Sequence, residues 1–184
     1  MAVGVVAGTY GHALFELAVT EDLIDTLVTE AGVIDDVLRT NPDFQKLLDH
    51  PRVDVEKKVA LIESCFSGRV SSQMTGFLII MIQNGRQKEI HTALADFTAE
   101  VKEYRHIGVC RVVSAFPLSD DQKERLKSRL IETTDYQTFE MHYQVDEKLI
   151  GGLTVQIGDR ILDSSIRTQL NGLQKSLRQV SADV

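Results

Sequence analysis

The spacing of apolar residues changes once along this chain, at Ile107-Gly108. Before that point they recur every three or four positions, the repeat of a helix with one buried stripe. Ile90, Leu94, Phe97, Val101 and Tyr104 follow at spacings of 4, 3, 4 and 3. Beyond it the pattern is that of strands. "GVCRVVSAFPL" is β-branched and apolar until Pro117 ends it. In "FEMHYQVD", Phe139, Met141, Tyr143 and Val145 alternate with Glu140, His142, Gln144 and Asp146. Alternation puts one set on each face of a strand. The chain therefore reads as two domains, 1–105 and 106–184, with no low-complexity linker between them.

The first domain reads as about six helices, enough for a bundle. Tyr10, Leu14 and Leu17 recur at helical spacing, with Ala13 and Ala18 beside them. Leu23, Leu27, Ile34 and Leu38 continue in a second helix. Asn41 precedes Pro42, the order of an N-cap and a first helical residue whose missing N–H costs nothing. Asp54 is the expected cap of a helix with Val55, Val59, Ile62 and Phe66 on its inner face. Ser72–Gln83 is apolar nearly all round, as for a helix at a bundle centre, and Asn84-Gly85 stops it. In the second domain, Ser119 and Gln122 form a capping-box pair that starts a helix. The order is strand, helix, strand, hairpin, helix, the last helix striped by Ile166, Leu170, Leu173, Leu177 and Val180. The expected fold is mostly α: an N-terminal six-helix bundle followed by a smaller α+β C-terminal domain.

Charge narrows the partners. The net charge is −7, and most of the excess acid lies before residue 106. A general phosphate-binding surface needs a basic excess, so nucleic acid is not expected as a partner. Cys65 and Cys110 form no CxxC, and the five histidines show no paired ligand spacing, so neither metal nor cofactor is expected. No Lys or Arg precedes Arg39, which leaves no positive n-region for a secretory signal. The longest unbroken apolar run, Phe77–Ile82, is far short of the roughly 20 residues that span a bilayer.

"LIGGLTVQIGDRILDSSIRTQL", from Leu149 to Leu170, holds residue types found in phosphate cradles and nucleophile sites. Each also has a structural use. Gly158-Asp159 is a two-residue hairpin signal between Leu153, Val155, Ile157 and Ile161, Leu162. Gly151 and Gly152 permit a bend or a close backbone approach. Asp163, Ser164 and Ser165 offer oxygens to the free N–H groups of a new helix. No GxxxxGK[ST] and no GxSxG elbow is present, and no histidine neighbours Ser164 or Ser165 in sequence. No catalytic residue is expected.

Read as a whole, "VDEKLIGGLTVQIGDRILDSSIRTQLNGLQKSL" resembles the C-terminal signature of the delta subunit of F-type ATP synthases, which is similar to the mitochondrial oligomycin-sensitivity-conferring protein. "TYGHALFELA" resembles that family's first helix, "MIQNGRQKEI" the step after its fifth, and "SAFPLSDDQKERL" its entry into the C-terminal helix. The four stretches occur in family order over essentially the whole chain. Gly11 stands where the family usually has Ala, Ser164 where it has Gly, and Gln87 where it has an apolar residue.

The resemblance implies a non-catalytic stator subunit. It would join the catalytic head to the peripheral stalk and resist the torque of the rotor. It also implies partners: the alpha subunits of the head, with the beta subunits as a further contact, and the b subunits of the stalk. The membrane is met only through the complex, on the cytoplasmic face of a bacterial plasma membrane or its organellar equivalent. Carried over by position, the groove for an alpha-subunit N-terminal helix is Tyr10, Ala13, Leu14 and Leu17 on one wall and Ile80, Met81 and Asn84 on the other. Gly151, Gly152, Gly158, Asp159, Asp163 and Ser165 are the structural signature. Two rival readings remain: a helical RNA-binding or adaptor module, and a small hydrolase using Ser165.

The change of period predicts a protease-sensitive junction. Limited proteolysis should cut between about Tyr104 and Gly108 and release a helical fragment that melts cooperatively. A fragment of residues 1–105 that is unfolded by circular dichroism would contradict the two-domain reading.

Overall fold

The computed structural model describes residues 2–146, 148–166, 168 and 170. The chain divides into two compact units, Met1–Lys102 and Glu103–Val184. The first is helical: α1 (Ala2–Thr20), α2 (Ile24–Thr40), α3 (Pro42–Asp49), α4 (Val55–Phe66), α5 (Ser72–Gln83), a 3-10 turn at Gln87–Glu89, and α6 (Ile90–Tyr104), whose last residues pass into the second unit.

These helices share one core. Leu14 and Ala18 of α1, Leu27 to Leu38 of α2, Leu48 of α3, Ile62 and Phe66 of α4, five residues of α5 and the stripe of α6 form one buried cluster. In α6, Ile90, Leu94, Phe97 and Val101 are buried as their spacing implies, while Tyr104 is exposed. In α1 the innermost residues are Ala7, Gly11, Leu14 and Ala18. Tyr10 and Leu17 flank that line and pack partly against the core.

Gly11 marks a close approach of α1 and α6. A Cβ built there would lie 2.8 Å from the Ala93 carbonyl oxygen, 3.0 Å from Asp96 Cβ and 3.0 Å from the Phe97 nitrogen. Two of the three are backbone atoms, which cannot swing aside. An alanine at this position would force the helices apart.

Helix ends follow local chemistry where no neighbour competes. α1 closes on a Schellman motif: Leu23 N–H bonds the Ala18 carbonyl at 2.9 Å, and Asp22 takes the left-handed φ of 57°. α5 closes the same way, with Arg86 N–H on the Met81 carbonyl at 2.7 Å and Gly85 at φ 69°. Ser71 caps the start of α5, accepting from Met74 N–H, and its own N–H and hydroxyl donate to Glu30 at 2.7 and 2.6 Å.

Three sequence expectations need correction. Asn41 stands at the start of α3, but its side chain does not cap it; its amide donates backward to the Val37 carbonyl at 2.9 Å and closes α2. Asp54 likewise makes no cap bond to α4 and pairs with Lys57 at 3.0 Å. The inner face of α4 is Lys58, Ile62 and Phe66, whereas Val55 is exposed. The long stem of Lys58 covers apolar surface as a hydrocarbon.

The second unit is α+β. Its elements are β1 (Ile107–Ser114), α7 (Asp120–Thr133), β2 (Thr138–Val145), β3 (Leu153–Ile157) and β4 (Arg160–Asp163), and the sheet order is β2-β1-β3-β4. β1 and β2 are parallel, with Ile107 opposite Thr138 and Ser114 opposite Val145; a helix intervenes, as a parallel pair requires. β3 is antiparallel to β1 and to β4. α7 opens with the expected capping box of Ser119 and Gln122. Leu126 and Leu130 of α7 pack with Cys110, Val112, Phe139 and Val155 of the sheet.

Gly108 leaves room for the ring of Phe139 directly opposite it, and that ring meets Tyr136 edge-on at 5.4 Å. The inward set of β2 is buried only at its start. Phe139 is 4% exposed, whereas Tyr143 and Val145 are 40% and 46% exposed. β2 is an edge strand that outruns the core, and Lys123 sits 5.6 Å over the Tyr143 ring. Leu173, Leu177 and Val180 of the expected last helix lie outside the described residues.

Gly11 gives the test of this packing. Overfilling a packed contact costs about 1–3 kcal/mol, against about 1 kcal/mol of helix propensity regained on replacing glycine. Gly11→Ala should therefore lower the urea midpoint of the helical unit. A raised midpoint would show that α1 and α6 part without cost.

Candidate functional site

The Leu149–Leu170 stretch closes on itself through its own polar groups. Asp163 Oδ1 accepts from Ser165 N–H at 2.8 Å and from the Thr154 hydroxyl at 3.4 Å, and Oδ2 accepts from the Thr168 hydroxyl at 2.7 Å. The Thr168 hydroxyl, with the backbone and hydroxyl of Ser165, pulls the Asp163 carboxyl down to about 2. Ser165 is 2% exposed, and its Oγ accepts from Thr168 N–H at 3.3 Å. This is the geometry of a helix N-cap.

The glycines serve the same closure. Gly152 has φ 86°, and a Cβ there would fall 2.4 Å from the Ser164 carbonyl oxygen. Ile166 N–H donates to the Gly151 carbonyl at 3.0 Å, and Ser164 N–H to the Leu153 carbonyl at 3.0 Å. Gly158, at φ 54°, and Asp159 make the two-residue turn that sets Ile157 opposite Arg160. Ser164 is not in the left-handed region, so serine stands there without backbone strain. The requirement for glycine falls on Gly152, across the pairing.

The hydrolase reading fails on this geometry. Ser165 Oγ is engaged by Thr168. His142 belongs to β2, on the opposite edge of the sheet from β4, about 14 Å away at ordinary strand spacing. It pairs with Glu140 at 3.0 Å. Among the described residues no group of three His, Cys, Asp or Glu could hold a metal ion. Burial pushes the Cys110 thiol up, which makes it a poorer nucleophile.

The residues carried over for a helix-binding groove separate into two depths. Leu14 and Met81 are 3% and 0% exposed and belong to the core, so in the free chain they offer no surface. Tyr10 and Leu17 are half-buried. Ala13, Ile80 and Asn84 face solvent, Ile80 with half of its surface. α5 is thus not enclosed: Met74, Phe77, Leu78, Met81 and Ile82 are buried, while a line through Gly76, Ile80 and Asn84 is open. The end of α1 reaches the start of α5, where Gln73 donates to Glu21 at 2.5 Å. Gly76 was not singled out from sequence; nothing lies within 4 Å of a Cβ built on it. Its only sequence signal is a glycine inside a helix, where it costs about 1 kcal/mol.

Self-satisfied polar groups and partly open apolar helix faces equip a subunit for assembly. The family profile of the ATP synthase delta (OSCP) subunit matches residues 6–177. The chain is 43% identical over 175 residues to the ATP synthase subunit delta of Lachnoclostridium phytofermentans, covering 95% of this chain and 96% of that one. It is 31% identical over 172 residues to that of Alkalihalophilus pseudofirmus, covering 94% of each. A chain of the Toxoplasma gondii mitochondrial ATP synthase hexamer has the same fold, with a TM-score of 0.71 at 19% identity over 93% of this chain and 96% of that one. The chain belongs to the ATP synthase delta (OSCP) subunit family. It is a stator component that links the catalytic head to the peripheral stalk, a structural subunit and not a catalytic one. It works within a membrane-associated complex, and no helix among the described residues is long and apolar enough to cross a membrane.

Asp163 predicts a pH dependence. Its folded value, about 2, lies below the ordinary 3.8. Its contribution to stability is therefore present above about pH 4 and is lost as pH falls toward 2. Asp163→Asn should melt below the parent at pH 7, and the gap should close by about pH 2. A gap that stays constant from pH 7 to 2 would show that the carboxylate charge is not what holds Thr168 and Ser165.

Proposed function

We propose that residues 1–105 act as a six-helix bundle that receives the amphipathic N-terminal helix of an alpha subunit on the α1–α5 face. Residues 106–184 contact the b subunits of the stalk. The close relatives named above are bacterial, which supports the cytoplasmic side of the plasma membrane as the place of assembly.

The observation that carries the reading is the exposure of Ile80. α5 is among the most apolar segments of the chain and buries five side chains, yet Ile80 keeps half of its surface in water. Gly76, one turn before it, leaves a shallow place in the helix surface. Ala13 on α1 is small and exposed, flanked by the partly buried Tyr10 and Leu17. Leu14 and Met81 support this face from beneath. A helix laid along it would cover Ile80 and approach closely at Ala13 and Gly76, the mode in which an amphipathic helix fills an apolar groove.

Ala13→Asp and Ile80→Asp test the face. Both positions are exposed in the free chain, so both variants should keep the parent circular dichroism spectrum and melting temperature. Each should weaken calorimetric binding of an alpha-subunit N-terminal peptide by about 3 kcal/mol, since docking would bury a carboxylate with no partner. A folded variant that binds at full strength removes its position from the site.

A further inference from the structure

We propose that His12 is a pH-sensitive clasp that ties α1 to α6. His12 Nδ1 lies 3.0 Å from Glu100 Oε2 on α6, and Nε2 lies 3.5 Å from Glu16 Oε1 one turn along α1. Both ring nitrogens thus face carboxylates, and only the imidazolium can donate to both. The Phe15 ring lies 6.4 Å from the imidazole centroid, stacked beside it.

The carboxylates that act on His12 come from both helices. Glu16 is on its own helix. Glu100 is on α6, and Asp96, one turn earlier on α6, approaches α1 at Gly8 and Gly11. α1 carries no side chain where it meets α6 at Gly8 and Gly11, so side-chain interlocking at those two positions is slight. The charged cross-link therefore matters more than it would between two leucine-lined helices. With His12 protonated, one cation sits between two carboxylates of different helices. With His12 neutral, the Glu16 and Glu100 carboxylates lose the cation they share.

The sign follows from linkage. The hydrogen bond and charge of Glu100, then the charge of Glu16, raise the His12 value above the ordinary 6.5. The clasp is fully present below about pH 6.5 and is lost as pH rises through the raised folded value. α1 also carries Ala13 and Leu17, so its seat against α6 bears on the proposed docking face, but the clasp is a property of the free chain and does not rest on that reading.

The test uses the full chain without partners. The His12 ring protons are followed by NMR in the parent and in Glu100→Gln, and urea midpoints of the helical unit are read at pH 5.5 and 8.5 in the parent, His12→Gln and His12→Lys. The parent ring should titrate above 6.5 and fall toward it in Glu100→Gln. Raising the pH should reduce the parent's folded-to-unfolded ratio by about two- to fivefold relative to His12→Gln, the size of an exposed ion pair. His12→Lys, cationic at both pH values, should keep the low-pH stability at pH 8.5. The other histidines are common to all variants and cancel in these differences. An unshifted His12, or identical pH dependence in the parent and His12→Gln, would overturn the clasp.

Discussion

Helix α5 has an apolar face of five side chains to keep from water, and the first unit is organised around that constraint. Met74, Phe77, Leu78, Met81 and Ile82 cover an arc of about 140° on the helix at 3.6 residues per turn. The shared core that buries them draws in α1, α2, α3, α4 and α6. The opposite face of α5 remains open, with Ser72, Ile80 and Gln83 exposed and Gly76 partly so. The exposed Ile80 is the physical basis of the proposed docking face, since covering it would release water from apolar surface at little conformational cost to the subunit.

The second unit shows how motifs that resemble reactive sites arise from closure of a small sheet. Asp163 is held by three hydroxyl or amide donors, Ser165 is buried beneath the turn it caps, and Gly152 is required because the Ser164 carbonyl occupies the space of a Cβ. The groups that would have to attack or cradle a substrate are already bonded to one another. A part that transmits force between head and stalk gains from such closure, because satisfied polar groups resist local opening.

Features set within a few residues were legible from the sequence: the capping box at Ser119, the stop at Gly85, and the hairpin at Gly158-Asp159. Features set by competition between elements were not. Asn41 and Asp54 have cap chemistry, but Val37 and Lys57 offer them other partners. Spacing placed Val55 on the inner face of α4, yet Lys58 lies there, because a period gives the width of a stripe and not the rotation at which neighbours cover it. The same limit applies to the candidate face. Leu14 and Ala13 are adjacent, as are Met81 and Ile80, and one of each pair is buried while the other is exposed. Only packing decides which. Gly11 looks like a lost alanine in sequence and is a point of backbone contact in the structure.

The account makes the chain a mechanical link, so its absence should uncouple the motor without stopping the head. The direct measurement is proton-gradient-driven ATP synthesis in membrane vesicles stripped of their delta subunit, with and without the purified chain. The account predicts that stripped vesicles hydrolyse ATP but do not synthesise it, and that adding the chain restores synthesis. Synthesis that stays absent while the chain is bound, or that proceeds equally well without it, would contradict the account.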